Sequence, residues 1–173
     1  MKHVFTFDQD KCCACSACMM GCVDQNDIDV TGGEQCYRKT YDNEIPTAGG
    51  KTYFAYISAA CMHCVDAPCI PACPVGCLYK DPDTGFTVYD NTNCIGCKSC
   101  AMACPFGAPR YRASDGKMVK CDGCNERVKH GLKPACVRAC PFNALQCVPE
   151  EEFTASGSDK ACNLLIQQLG LKR

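Results

Sequence analysis

Sixteen of the 21 cysteines in this 173-residue chain fall into four regularly spaced groups. The first runs Cys12-x2-Cys15-x2-Cys18-x3-Cys22, and the third repeats it as Cys94-x2-Cys97-x2-Cys100-x3-Cys104. The second is Cys61-x2-Cys64-x4-Cys69-x3-Cys73, and the fourth is Cys121-x2-Cys124-x11-Cys136-x3-Cys140. Thiols so placed can bridge as disulfides, cycle as a redox pair, or bind a thiophilic metal as thiolates. An odd total and the tight x2 spacing argue against a disulfide framework. A dithiol redox site needs one pair in a βαβ setting rather than four groups. Structural zinc takes two pairs per tetrahedral site and has no use for triple runs that lead into Cys-Pro.

Triple runs closed by C-x3-C are the spacing of bacterial-ferredoxin ligands for a [4Fe-4S] cube, and an iron-sulfur reading is the only one that uses all sixteen cysteines as candidate ligands. Three thiolates two residues apart can wrap one cube in a tight loop. The fourth lies about one helical turn further on and serves another cube. Cys12, Cys15 and Cys18 are therefore expected to share a cube with a cysteine from elsewhere, Cys22 being donated in return. The remaining Cys13, Cys36, Cys77, Cys147 and Cys162 read as small buried packing residues. His63, inside the second group, reads as a loop residue that tunes a potential rather than a ligand, and His3 and His130 as surface histidines. Lys98, Arg110, Arg112 and Lys120 lie near the groups and either raise potentials electrostatically or are solvated charges, the second reading being favoured.

The elements that must position these thiols are short. Runs of β-branched and aromatic residues at His3 to Phe7, Thr52 to Ser58 and Phe86 to Tyr89 predict strands before three of the groups. After each third cysteine there is room for about one helical turn, limited by Pro74, Pro105 and Pro141. An internal repeat relates the halves: Phe7-Asp8 and Met20 recur as Tyr89-Asp90 and Met102, and Ala72-Cys73-Pro74 with Leu78 recurs as Ala139-Cys140-Pro141 with Leu145. The spacer 23–51, with two Gly-Gly pairs, reads as a loop-rich surface insertion. In the tail, Ser158-Asp159 could cap a last helix containing Leu164, Leu165 and Leu169.

Composition removes several function classes. With 18 basic against 19 acidic residues the protein lacks the basic excess expected of a nucleic-acid surface. The longest apolar stretch, Tyr53 to Met62, is half the length of a membrane span, so no direct membrane insertion is expected. The first ten residues carry no export signal. Few Leu, Ile, Val and Phe are present, so the ordinary hydrophobic core is thin and inorganic cores are expected to replace it.

The stretch from Cys61 to Tyr111, the stretch from Met118 to Leu145 and the opening CCACSACMMGCVDQNDI resemble the iron-sulfur subunit of dimethyl sulfoxide reductase and its relatives, over about residues 3–148. The resemblance implies an α+β, loop-rich fold of duplicated bacterial-ferredoxin-like domains organised around four [4Fe-4S] clusters. One unit is formed by 1–60 with 112–148, a second by 61–111, and 149–173 is a tail. By the pairing of four-cluster relatives, Cys140 completes the first cluster, Cys104 the second, Cys73 the third and Cys22 the fourth. No residue is expected to be catalytic.

The implied role is to relay single electrons between a large catalytic subunit carrying a molybdenum or tungsten bis-pterin and a quinone-linked membrane anchor subunit or soluble carrier, in anaerobic respiration. The alternative is a similar cytosolic protein linking formate dehydrogenase and hydrogenase. The first reading implies a membrane-associated complex, extracytoplasmic by co-export with the catalytic subunit, and the second a cytoplasmic one.

Overall fold

Short strands pair two by two, and the pairs knit distant parts of the sequence together. In the computed structural model, which describes residues 1–153, β1 (His3–Phe7) lies antiparallel to β8 (Leu145–Pro149), from His3 opposite Pro149 to Phe7 opposite Leu145. The strand that leads into the first cysteine group is thereby tied to the strand that leaves the fourth. β4 (Leu78–Lys80) and β5 (Thr87–Tyr89) pair likewise between the second group and the third. β6 (Arg110–Tyr111) and β7 (Met118–Val119) close a smaller hairpin between the third and the fourth.

Proline placement decides where the helices end. α1 (Ala17–Gln25) runs through Cys18 and Cys22 because no proline follows Cys22. α2 (Ser99–Ala103) stops just before Cys104-Pro105, α3 (Asn125–Lys129) follows Cys124, and α4 (Ala135–Arg138) ends before Cys140-Pro141. Around Cys69 to Cys73 the expected helical turn is replaced by plain turns, since Pro68, Pro71 and Pro74 leave too few backbone donors.

α1 packs on α4. The contact depends on small residues: a Cβ added at Gly21 would lie 2.9 Å from Ala139 Cβ and 3.2 Å from the Ala135 carbonyl oxygen. Such close approach brings Cys22 to the fourth group and Cys140 to the first.

The spacer differs from its loop-rich expectation. Within it, β2 (Lys39–Pro46) pairs along its whole length with β3 (Thr52–Ala59). The segment KTYDNEIP has little strand propensity of its own. Its ladder comes from the aromatic and β-branched β3, closed by a turn in which Thr47 N–H and Oγ both donate to the Lys51 carbonyl. The hairpin remains at the surface.

The sequence repeat recurs in hydrogen bonds 82 residues apart. Cys12 N–H donates to Gln9 O and Cys94 N–H to Asn91 O, both at 3.1 Å. Asp8 and Asp90 each accept from the N–H two residues on. The apolar core consists of two small clusters among the described residues, each threaded by cysteines. One gathers Cys69, Cys100, Leu78 and Met118, and the other Cys18, Cys136, Val137 and Leu145. Fully buried Phe86 is stacked on Phe5 and tilted against His63. The expected tail helix lies outside the described residues. Among those residues no helix is long and apolar enough to cross a membrane.

Candidate metal centres

Each C-x2-C loop reverses at the same point. The residue before the second cysteine has a left-handed backbone in all four groups: Ala14 (φ 54°), His63 (φ 46°), Gly96 (φ 66°) and Gly123 (φ 79°). That conformation costs a non-glycine residue about 1–2 kcal/mol. It turns both thiols of the loop toward one side. Gly123 is required twice over, because a Cβ there would meet the Phe86 ring at 2.5 Å.

Three hollows of near-equal size result. Cys12, Cys15, Cys18 and Cys140 line one of about 320 Å³, open mouth included. Cys61, Cys64, Cys69 and Cys104 line a second of about 340 Å³, and Cys94, Cys97, Cys100 and Cys73 a third of about 280 Å³. Each takes three thiols from one group and one from another. The last four thiols, Cys22, Cys121, Cys124 and Cys136, form a mutually interacting set. Burial, with neighbouring Cys136 and Cys124, pushes the Cys22 thiol up to about 12. Burial and the closeness of Cys61 push Cys121 well above its ordinary value.

The donors fit a soft, multi-iron group. All twenty described cysteines are free thiols. No three His, Cys, Asp or Glu side chains among the described residues converge as they would around a single ion. Thiols spread around a hollow suit a group whose metal ions stand at separate corners. Thiols pushed up this far stay protonated alone, so bound metal must supply the charge that converts them to thiolates.

Hydrogen bonds already aim at the sulfurs. Backbone N–H groups of Cys77, Ala108 and Met118 donate to Cys73, Cys104 and Cys94 at 3.2–3.4 Å. The Tyr111 hydroxyl meets Cys100 Sγ at 3.3 Å, and Asn26 Nδ2 donates to Cys22 Sγ at 3.6 Å. Ser58 Oγ accepts from Arg38 Nη1 at 3.0 Å, which leaves its own proton for Cys18 Sγ at 3.3 Å.

Basic side chains lie among the thiols. Lys120, read from sequence as a solvated charge, is 1% exposed. Its ammonium bonds the Thr87 and Cys121 carbonyls and reaches Cys61 Sγ at 3.8 Å, because β5 and the fourth group close over it. Arg38 is also buried. Burial works against its charge, while Cys136, Cys121, Cys18 and Cys22 favour it once they are thiolates. His63 is buried too, and burial with Lys120, Lys80 and Arg38 pushes it well below its ordinary value, so it is neutral. Arg38 and Ser58 were hidden from sequence reasoning, since neither belongs to a motif. Lys98, by contrast, lies over the Tyr111 ring at 5.8 Å, and Arg112 forms an exposed ion pair with Asp115.

The spare cysteines do not share one role. Cys77 is buried in the hollow of Cys73 and Cys94, and Cys147 sits beside Cys136 and Cys124. Cys36 is half-buried, while Cys13 is exposed at the rim of the first hollow, contrary to its expected burial. It lies on the loop that reverses at the left-handed Ala14. Cys162 lies outside the described residues.

Cysteines gathered in fours, three of the sets around hollows of their own, in a loop-rich frame of two-stranded sheets, define an iron-sulfur protein. Residues 52–150 match the 4Fe-4S dicluster domain family. The sequence is 41% identical over 160 residues to the B subunit of the anaerobic dimethyl sulfoxide reductase of Haemophilus influenzae, covering 88% of this protein and 76% of that one. It is 42% identical over 163 residues, with the same coverage, to YnfG of Escherichia coli K12, a probable anaerobic dimethyl sulfoxide reductase subunit. Hydrogenase-2 operon protein HybA of E. coli O157:H7 is 36% identical over 176 residues, covering 89% of this protein and 54% of HybA. The protein belongs to the iron-sulfur subunits of the dimethyl sulfoxide reductase family: an electron-transfer subunit of an oxidoreductase complex, not its catalytic subunit.

Proposed function

We propose that this chain relays single electrons through a line of four [4Fe-4S] clusters, held by the sixteen cysteines named above in two duplicated ferredoxin-like units. The observation that carries this reading is the exchange of cysteines, in which three hollows each combine three thiols of one group with the last thiol of another. Cys22 with Cys121, Cys124 and Cys136 completes the exchange. A cube in such a site supplies one-electron redox chemistry with little rearrangement of its surroundings.

The protein's own part is to fix distance and charge. Arg38 stands between the sites of Cys18 and of Cys121 and Cys136, and Lys120 between those of Cys121 and Cys61. On this basis the sites follow one another in the order first, fourth, second, third group.

The ends of the line would meet a molybdopterin-bearing catalytic subunit and a quinone-linked membrane subunit or soluble carrier. The similarity to the dimethyl sulfoxide reductase subunits favours that assignment, because they share more identity and more of their length than HybA does. HybA's name supports the alternative of a hydrogenase-linked complex. The first reading puts the complex at the membrane, carried to its outer side with the catalytic subunit. Molybdenum, tungsten and nickel content of the native complex, and its cell fraction, separate the two.

Metal analysis of the isolated protein tests the cluster reading: about sixteen irons per molecule are expected. Cys22→Ala should remove about four of them from the site of Cys121, Cys124 and Cys136. Zinc in place of iron, or loss of only the Cys12, Cys15 and Cys18 site, would overturn it.

A further inference from the structure

His63 belongs to the loop of the second cysteine group, yet its ring points to a thiol of the fourth. Nδ1 accepts the Thr87 backbone N–H at 3.1 Å. A backbone N–H can only donate, so Nδ1 carries no proton and Nε2 must. Nε2 lies 3.6 Å from Cys121 Sγ, which makes the sulfur the acceptor. The ring has little freedom to turn away: it lies stacked on Phe5 with centroids 5.8 Å apart and against Phe86 at 4.8 Å. Its backbone is pinned as well, since Lys80 Nζ donates to the carbonyls of His63 and Cys64. The positive φ at His63, held despite its cost, is what aims the side chain out of its own loop.

We propose that His63 is a positioning residue that acts across the junction between two cluster sites: it donates Nε2–H to the Cys121 thiolate and thereby raises the potential of the Cys22, Cys121, Cys124 and Cys136 site, not of the site formed by its own loop. The inference rests on the four-cluster reading. A hydrogen bond to a ligating sulfur withdraws electron density and favours the reduced state. No proton moves, because the imidazole already commits both nitrogens. The link also makes one continuous path of bonds from Cys61 and Cys64 through the His63 ring to Cys121.

Potentiometric titration of the purified holoprotein, followed by electron paramagnetic resonance, tests this. The signal to follow is the one that Cys22→Ser alters. In His63→Leu its oxidised-to-reduced ratio at the wild-type midpoint should rise about tenfold, which for a one-electron couple is about 59 mV downward. The other signals should stay in place. His63→Gln, which keeps a donor near the Nε2 position, should restore most of the shift.

A shift confined to the signal lost in Cys64→Ser, or no shift in an iron-replete variant, would overturn the proposal. Should His63→Leu fail to assemble, wild-type protein labelled with 15N-histidine decides. A histidine nitrogen coupled to the Cys22-sensitive signal is expected, and its absence would overturn the link. Wild-type protein without iron-sulfur signals would instead defeat the four-cluster reading itself.

Discussion

In the proposed order, the two inner cysteine sites and the two outer ones are built from the same loop yet stand in different surroundings. The outer sites reach the surface: Cys15 and Cys97 are exposed, whereas none of the eight inner thiols is. The outer sulfurs meet neutral donors, the hydroxyls of Ser58 and Tyr111 and the N–H groups of Cys77 and Met118. Around the inner pair stand two buried cations, Arg38 and Lys120, and the neutral His63. A cube with four thiolates carries a charge of roughly −2. Water screens that charge at the rim, but inside the protein an uncompensated ion costs several kcal/mol. The difference teaches that buried cations belong to the inner sites as structural requirements, with any effect on potential following from that placement.

The largest expected effect comes from removing such a cation. Lys120→Met keeps the bulk of the side chain and removes its charge beside Cys61. The holoprotein should lose about 3–5 kcal/mol of stability, the scale on which a broken buried pair is felt. Tyr111→Phe is the outer counterpart, deleting one neutral donor to Cys100 at a cost of about 1 kcal/mol. Chemical denaturation of both variants, with iron counted at each step, measures the contrast. Equal losses from the two would abolish the distinction between inner and outer sites.

The cysteine spacing made the four loops legible, because a C-x2-C turn is local and its backbone reversal recurs whatever surrounds it. The strands at His3, Thr52 and Thr87 were legible for the same reason, as short β-branched and aromatic runs. The cations were not. A lysine one residue before Cys121 looks solvated until Thr87, 33 residues away, supplies a carbonyl and closes over it. Arg38 lies in a spacer that reads as loop, and β2 beside it becomes a strand only through its partner. Exchange of the fourth cysteines likewise depends on α1 meeting α4, a contact written in Gly21, Ala135 and Ala139 but recognisable only once both helices are in place.

A middle-sized effect is expected where the inner pair is locked together. The Asp81 carboxylate, in the turn between β4 and β5, takes Lys129 at 2.7 Å and Asn125 Nδ2 at 2.9 Å from α3, and the Thr84 N–H at 3.1 Å. Burial opposes its ionisation, but these partners outweigh burial and hold it well below the ordinary 3.8. A depressed carboxyl contributes stability in full above its unfolded value and loses it as pH falls through the folded one. Asp81→Asn should therefore cost about 1.5–3 kcal/mol near neutrality. Its difference from wild type should shrink below pH about 4, where the wild-type carboxylate also begins to lose its advantage. Thermal midpoints of both proteins across pH 3–7 check this, and a gap independent of pH would remove the carboxylate's charge from the lock.

A last contrast, whose Ala14 arm is the smallest effect of all, separates the two outer sites from each other. Ala14 and Gly96 occupy equivalent left-handed positions, 82 residues apart, with φ 54° and 66°. Ala14 bears the strain of that conformation, and glycine would relieve it while adding freedom to the unfolded state. Ala14→Gly should therefore stabilise by less than about 1 kcal/mol, the two contributions opposing each other. At Gly96 the reverse change meets a second obstacle, since a Cβ would stand 2.8 Å from the Gly116 carbonyl oxygen. Gly96→Ala should thus cost more than the 1–2 kcal/mol of backbone strain alone, at about 2–3 kcal/mol. Denaturation midpoints of the two single variants test the asymmetry. If Gly96→Ala costs no more than Ala14→Gly gains, then the hairpin of β6 and β7 does not press on the third loop, and the outer sites differ in sequence alone.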